Sequence, residues 1–212
     1  MAYSIIGIVN MALQRIGAKG RITNITDAAD PNAVKANAVW EYIRDEVLEE
    51  VKPKFATFRV ALAQSATAPA NSETYDYAYP LPNDYICLAN GIADDPPVWP
   101  SSVGPYVMET LTSADDVLCL MTNYNSVTET YSIYLTYIKK VTNPARYTAS
   151  FINALAYRLA AELSFTIAES GNKYEAMMTL YEKAKRKAKA GSSKQDYLAD
   201  EKGNSDWQNA GR

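Results

Sequence analysis

The chain has 212 residues and a mass of 23.4 kDa, room for one globular domain or for a compact body with an inserted subdomain. With 48% hydrophobic and 21% charged residues it is expected to fold, and a net charge of −3 removes the strongly basic signature of a typical nucleic-acid binder. It contains no histidine, which takes away the commonest general base and the commonest metal ligand at neutral pH, and with them Ser-His-Asp and Cys-His catalysis.

Ile5, Val9, Ala12, Leu13 and Ile16 recur at helical spacing behind Ser4, a good N-cap, and Gly17 is a natural stop. The spacing predicts a helix from about Tyr3 to Ile16. A polar loop leads to Asp30-Pro31, an N-cap followed by a proline suited to the first helical position, and a second helix runs to Pro53. Its apolar stripe is Ala36, Trp40, Ile43, Val47 and Val51; Glu41, Arg44, Asp45, Glu49 and Glu50 form the wet face. Phe55, Phe58 and Leu62 predict one further short helical turn.

Composition changes at about residue 67 and again at about residue 145. Residues 67–144 carry two basic and nine acidic side chains, eight of the ten prolines and nine of the sixteen tyrosines. Such a segment between two balanced or basic ones reads as an inserted unit of another structural class. Tyr75, Tyr77 and Tyr79 alternate with Asp76 and Ala78, a period of two that predicts three rings on one face of a strand. Residues 107–112 and 117–124 predict a hairpin across the turn-like 113–116. Residues 131–140 predict a strand covered on both faces, Tyr131, Ile133, Leu135 and Tyr137 on one and Tyr134, Thr136 and Ile138 on the other. Nine tyrosines in an acidic insert suit either sheet packing or a half-wet interface.

After Pro144 the helical period returns with Ile152, Leu155, Leu159 and Leu163, thinned by many alanines so that neighbours can approach closely, up to Gly171. A last helix carries Tyr174, Met177, Met178, Tyr181 and Ala184 and turns cationic through Lys183, Lys185, Arg186, Lys187 and Lys189, expected to be its C-terminal turns. From Gly191 a polar tail without periodicity is expected to be flexible. Tyr197, Leu198 and Trp207 are anchors on it that the tail cannot bury alone. The expectation is therefore an α+β fold: a helical body of residues 1–66 and 145–190, an antiparallel β insert of 67–144, and an extended tail of 191–212.

Cys87 and Cys119 lack CxxC spacing and sit among apolar neighbours, which reads as two buried, reduced thiols in a cytoplasmic setting. The apolar run from Ile5 to Leu13 has no preceding Lys or Arg and contains Asn10, so it fails as a signal peptide, and no stretch approaches a membrane span. The carboxylate pairs Asp94-Asp95 and Asp115-Asp116 stand in turn-like sequence, where a solvated turn is the economical reading and a histidine-free hydrolase the distant one. No phosphate loop, dinucleotide fingerprint or calcium loop is present, so no cofactor is expected. Gly17-Ala18-Lys19-Gly20 is similar to the GxxG loop of KH domains, though the strand that should precede the first helix is missing. A small nucleic-acid-binding module using this loop, Lys19, Arg21 and the basic last helix is the alternative function.

Three segments together carry a family resemblance. They are Ile16-Gly17 followed by Ile22-Thr23-Asn24-Ile25-Thr26-Asp27, the helix ending near Phe55-Ala56, and the run from Tyr75 through Pro80-Leu81-Pro82-Asn83-Asp84-Tyr85. With the helix pair containing Asn153-Ala154-Leu155-Ala156 and Arg158-Leu159-Ala160-Ala161, the chain resembles the tail tubular protein A family of bacteriophage head-to-tail adaptors over roughly residues 3–190. The resemblance implies a non-enzymatic virion protein, assembled in the host cytoplasm, whose copies form a ring, commonly of twelve, below the portal. The helical body would pack around the ring, the insert would face the distal tail or nozzle protein, and Tyr197, Leu198 and Trp207 would dock on the portal. DNA would pass through the channel without specific binding, past an acidic wall that repels phosphates. The cations Lys183, Lys185, Arg186, Lys187 and Lys189 would meet an acidic protein surface or phosphates.

Overall fold

The computed structural model describes residues 3–66, 74–89, 106–111, 117–127 and 133–200. Asp94, Asp95, Asp115, Asp116, Tyr131 and Trp207 lie outside the described residues. The fold is α+β. The chain divides into two compact units, Met1–Ala56 with Val141–Arg212 and Thr57–Lys140.

The first unit is helical. Helix α1 spans Ile5–Ile16, its Ser4 side chain accepting from the Gly7 N–H and its Gly17 C-cap left-handed at φ 71°. The loop behind it is pinned by Asn10, whose side chain both donates to and accepts from the Ile22 backbone at 2.9 Å and so brings Ile22 into the core. Helix α2 spans Pro31–Val51, with Asp30 accepting from the N–H groups of Asn32 and Ala33. Helix α3, Ala149–Thr166, is capped by Thr148, and Phe151, Ile152, Ala154, Leu155, Ala156, Leu159, Ala160, Ala161 and Leu163 are all buried on it. Helix α4 spans Gly171–Asp200, about 45 Å at 1.5 Å per residue. Contacts of α3 with α1, α2 and α4 make it the central helix of this unit.

Two expectations fail here. Gly171 does not end α3, which stops at Thr166; it opens α4, where nothing lies within 4 Å of the position a Cβ would take. The helix backbone also passes through Gly191 to Asp200, so 191–200 is no extended tail, and the cationic run sits in the middle of α4 instead of at its end. A single glycine costs about 1 kcal/mol within a helix, too little by itself to stop one, and Ser192 just beyond it accepts from the Lys54 N–H.

The second unit is two three-stranded antiparallel sheets, β1 (Thr57–Leu62), β6 (Ile133–Lys139) and β3 (Tyr85–Leu88) in one, and β2 (Tyr77–Pro80), β5 (Val117–Thr122) and β4 (Tyr106–Leu111) in the other. Phe58 and Leu62 are therefore strand residues, and only Lys54–Ala56 make a helical turn. The i, i+3, i+7 spacing of three apolar residues is too short to separate helix from strand, and pairing with β6 decides it. β4 and β5 pair antiparallel as expected of a hairpin, with Leu111 opposite Val117.

Leu62, Ile133, Leu135 and Tyr137 of one sheet form a common core with Tyr79 and Leu120 of the other and with Leu81 and Tyr124 just beyond its strands. Tyr75 is not on the face of Tyr77 and Tyr79; it packs with Ala78, Cys119 and Met121 on the opposite side. The second face of β6 is covered only at Ile138, since Tyr134 is exposed and Thr136 half-buried. Cys119 is fully buried, whereas Cys87 is only half-buried. The Tyr79 hydroxyl donates to the Tyr124 carbonyl at 2.7 Å and accepts from the Ser126 N–H at 2.9 Å. Replacing it (Tyr79→Phe) leaves both groups without that partner, and urea denaturation should show a loss of about 1–2 kcal/mol.

Candidate functional site

The charged groups of the helical unit separate into an inner and an outer set. Arg158, 7% exposed on α3, pairs with Glu46 of α2 and with Glu162 one turn on, both at 3.0 Å. Burial disfavours its charge, but the hydrogen bond to Glu162 and the charge of Glu46 outweigh that and raise its pKa. Arg44, 2% exposed on α2, donates through Nε to Asp45 at 2.8 Å. Arg44 Nη2 and Arg158 Nε have no hydrogen-bond partner among the described residues.

A second inner group joins α2 to α4. Glu50 Oε2 accepts from the Tyr181 hydroxyl and from Lys185 Nζ at 3.1 Å, and Lys185 also meets Glu182 at 2.6 Å. Burial opposes the ionisation of Glu50, but the bonds from Tyr181 and Lys185 and the charges of Lys185 and Lys189 hold its carboxyl below the ordinary value. Burial, then the hydrogen bond to Glu50 and the nearby charges of Glu50 and Glu46, push the Tyr181 hydroxyl well up. For Lys185 burial works against the charge, and the bonds to Glu182 and Glu50 reverse the direction and raise its pKa.

The sequence-derived cations therefore part company. Lys183, Arg186, Lys187 and Lys189 are exposed on α4, while Lys185 is turned inward onto Glu50. Its position between Tyr181, Ala184 and Ala188, all buried, puts it at the margin of the helix's inner face. Tyr197 and Leu198 fall on the α4 backbone instead of on a loose tail. Sequence reasoning missed a further exposed surface: Val34 is 49% and Tyr42 67% exposed on α2, with Ala38 exposed between them. The i, i+4, i+8 spacing of these three residues was the available signal.

The Gly17–Gly20 loop follows the C-terminus of α1, whose carbonyl end repels phosphate. The Gly17 N–H is already bonded to Gln14 and that of Ala18 to Leu13, while Lys173 caps the Ile16 carbonyl at 2.8 Å. The loop thus offers a helix stop and no phosphate cradle at these groups. In the β unit, Asp84 accepts from Tyr137 at 2.8 Å and pairs with Lys139 at 2.6 Å. Burial and then this bond push the Tyr137 hydroxyl up to about 12. Of the eight insert tyrosines described, only Tyr134 is exposed, and the Arg59 guanidinium lies 5.0 Å from its ring centre. Most of the tyrosine excess is sheet packing. Among the described residues no group of three or more His, Cys, Asp or Glu is placed to hold a metal, and no helix is long and apolar enough to cross a membrane.

No family model matches the chain, and no curated protein matches it.

The depressed Glu50 carboxyl fixes a pH dependence. Its contribution to stability is fully present above the ordinary value of 4.5 and is lost as pH falls through the lower folded value. Tyr181→Phe removes one of the bonds that depress it. The stability gap between wild type and this variant should be largest at neutral pH, about 1 kcal/mol, and should shrink below pH 4 in urea titrations. A gap that is constant between pH 7 and pH 3 would place the coupling elsewhere.

Proposed function

We propose that the chain is a non-enzymatic structural subunit that self-associates into a closed ring, joining a bacteriophage portal to the tail. The observation that carries the reading is a pair of unlike exposed faces on one helical unit. One is the apolar stripe of Val34, Ala38 and Tyr42 on α2; the other is the cationic stripe of Lys183, Arg186, Lys187 and Lys189 on α4. A ring needs a heterologous contact, in which one patch meets a different patch on the next copy, and a single self-complementary patch would stop at a dimer. The segments that resemble the adaptor family support the same reading and suggest twelve copies, with the portal on one side, a distal tail or nozzle protein on the other, and a virion location. DNA would pass through the ring without specific binding.

The inner charges favour this reading as well. Arg158 with Glu46, and Lys185 with Glu50, tie α3 and α4 to α2, so the outer residues of α2 and α4 keep a fixed spacing. A docking face gains from such fixity, because less side-chain and backbone freedom is lost on association.

Tyr42→Arg puts a positive charge at one end of the apolar stripe, where it would repel the cationic stripe of the next copy. Since Tyr42 is exposed, the isolated subunit should keep its stability within about 0.5 kcal/mol, while native mass spectrometry should show the higher oligomer lost. Full ring formation by this variant and by Lys183→Glu/Arg186→Glu/Lys187→Glu alike would overturn the reading.

A further inference from the structure

The helical unit contains a cleft of about 170 Å³ lined by Val51, Lys54, Phe55, Phe151, Ala188 and Gly191, among others. Its floor is apolar, with Val51, Phe151 and Ala188 buried. Phe55 and Phe151, which line the cleft, meet edge to face at 5.1 Å, and Tyr147 packs behind both rings at 5.5 and 5.0 Å. The rim is polar: Lys54, Thr148, Ser150 and Ser192 line it, and Ser192 Oγ accepts from the Lys54 N–H at 2.9 Å. A dry cavity of about 150 Å³ is enough to accept one benzene ring, so this cleft has the size and chemistry to receive one aromatic side chain.

Gly191 stands at the edge of the cleft inside α4, where glycine costs about 1 kcal/mol relative to alanine. Neither crowding nor φ explains it. A Cβ at Gly191 would meet only Ser150 Oγ at 3.8 Å, an ordinary contact, and its φ is not in the left-handed range. What a side chain there would do is cover the cleft.

We infer that the cleft is a receptor for an indole ring and that, in the free subunit, its occupant is Trp207 of the same chain. Beyond Asp200 the chain has twelve more residues, and Trp207 is the one large apolar side chain among them. The reach suffices. From Gly191 to Asp200 the helix rises about 14 Å. The seven residues from Asp200 to Trp207 span up to about 23 Å when extended, and Gly203-Asn204 is a sequence suited to the reversal. The docked state competes with any partner that takes Trp207, the portal included, and holds for a single subunit whether or not copies assemble.

The full-length chain labelled with 5-fluorotryptophan has three indole signals, and that of Trp207 is assigned by its loss in Trp207→Phe. In dilute protein shown to be monomeric by sedimentation, the Trp207 fluorine should lie away from the position of the free amino-acid amide and lack its H2O/D2O isotope shift. In Gly191→Leu, with Trp40 unmoved as a folding control, it should return to the free position and regain the shift. Free-like behaviour of Trp207 in the wild-type monomer would overturn the inference, as would burial that persists in Gly191→Leu. Burial that appears only as copies associate would assign the occupant to a neighbouring copy and overturn the same-chain docking, leaving ring formation untouched.

Discussion

Burial of α3 is the constraint on which the helical unit depends. Nearly every apolar position of this helix is buried, and its small residues, Ala154, Ala156, Ala160 and Ala161, let α1, α2 and α4 approach closely. A helix apolar around most of its circumference cannot face water on any side, so its neighbours are required for it to form. Polar groups on the neighbours that are carried inward then have to find partners. Arg15 of α1 answers this with bonds to Asn153 at 3.1 and 2.5 Å and a seat 3.6 Å over the Tyr157 ring. At the surface, Lys35 of α2 caps the Thr166 carbonyl at the end of α3 at 2.6 Å.

The inner ion pairs follow from that packing and do not cause it. Taking Arg158 and Arg44 out of water costs several kcal/mol each, and an attraction returns this only when the remaining donors are satisfied. Arg44 Nη2 and Arg158 Nε are not, so the network is a modest source of stability. Its consequence is registry. Glu46 and Glu50, one turn apart on α2, take Arg158 from α3 and Lys185 from α4, and a slip of either helix by one turn would leave a buried charge alone. The two loops that close this unit are fixed by similar means, one through Asn10 on Ile22 and the other through the Lys173 cap on α1.

Legibility in the sequence tracked how local the deciding interaction is. Ser4, Gly17, Asp30 and Pro31 act within one turn of their own position, and the ends they set were readable. The end of α4 was not, because Gly191 is overridden by packing against residues far away in the chain. The strand at Thr57–Leu62 was hidden for the same reason, since its partner β6 lies more than seventy residues on. Of the candidate site, the basic face was legible as a run of cations, but the inward turn of Lys185 required knowing that Glu50 faces it. The exposed stripe on α2 was obscured by Trp40 and Ile43, which interleave with it in sequence and lie on the opposite, buried face.

Once Lys185 is neutralised from within, the outer cations of α4 stand out more sharply. Lys183 with Arg186 and Lys187 are three and four residues apart, neighbours on the helix surface, and like charges at that spacing destabilise a helix by about 0.2–0.5 kcal/mol per pair. Glu182 could relieve them but is drawn to Lys185 at 2.6 Å. The dipole does not compensate, because the run is mid-helix and the effect fades within the last turn. Local folding forces therefore disfavour the stripe, and so does the glycine a turn beyond it. Two locally unfavourable choices on a helix whose inner face is locked in place by Glu50 are the pattern expected where a surface is shaped for something other than its own stability.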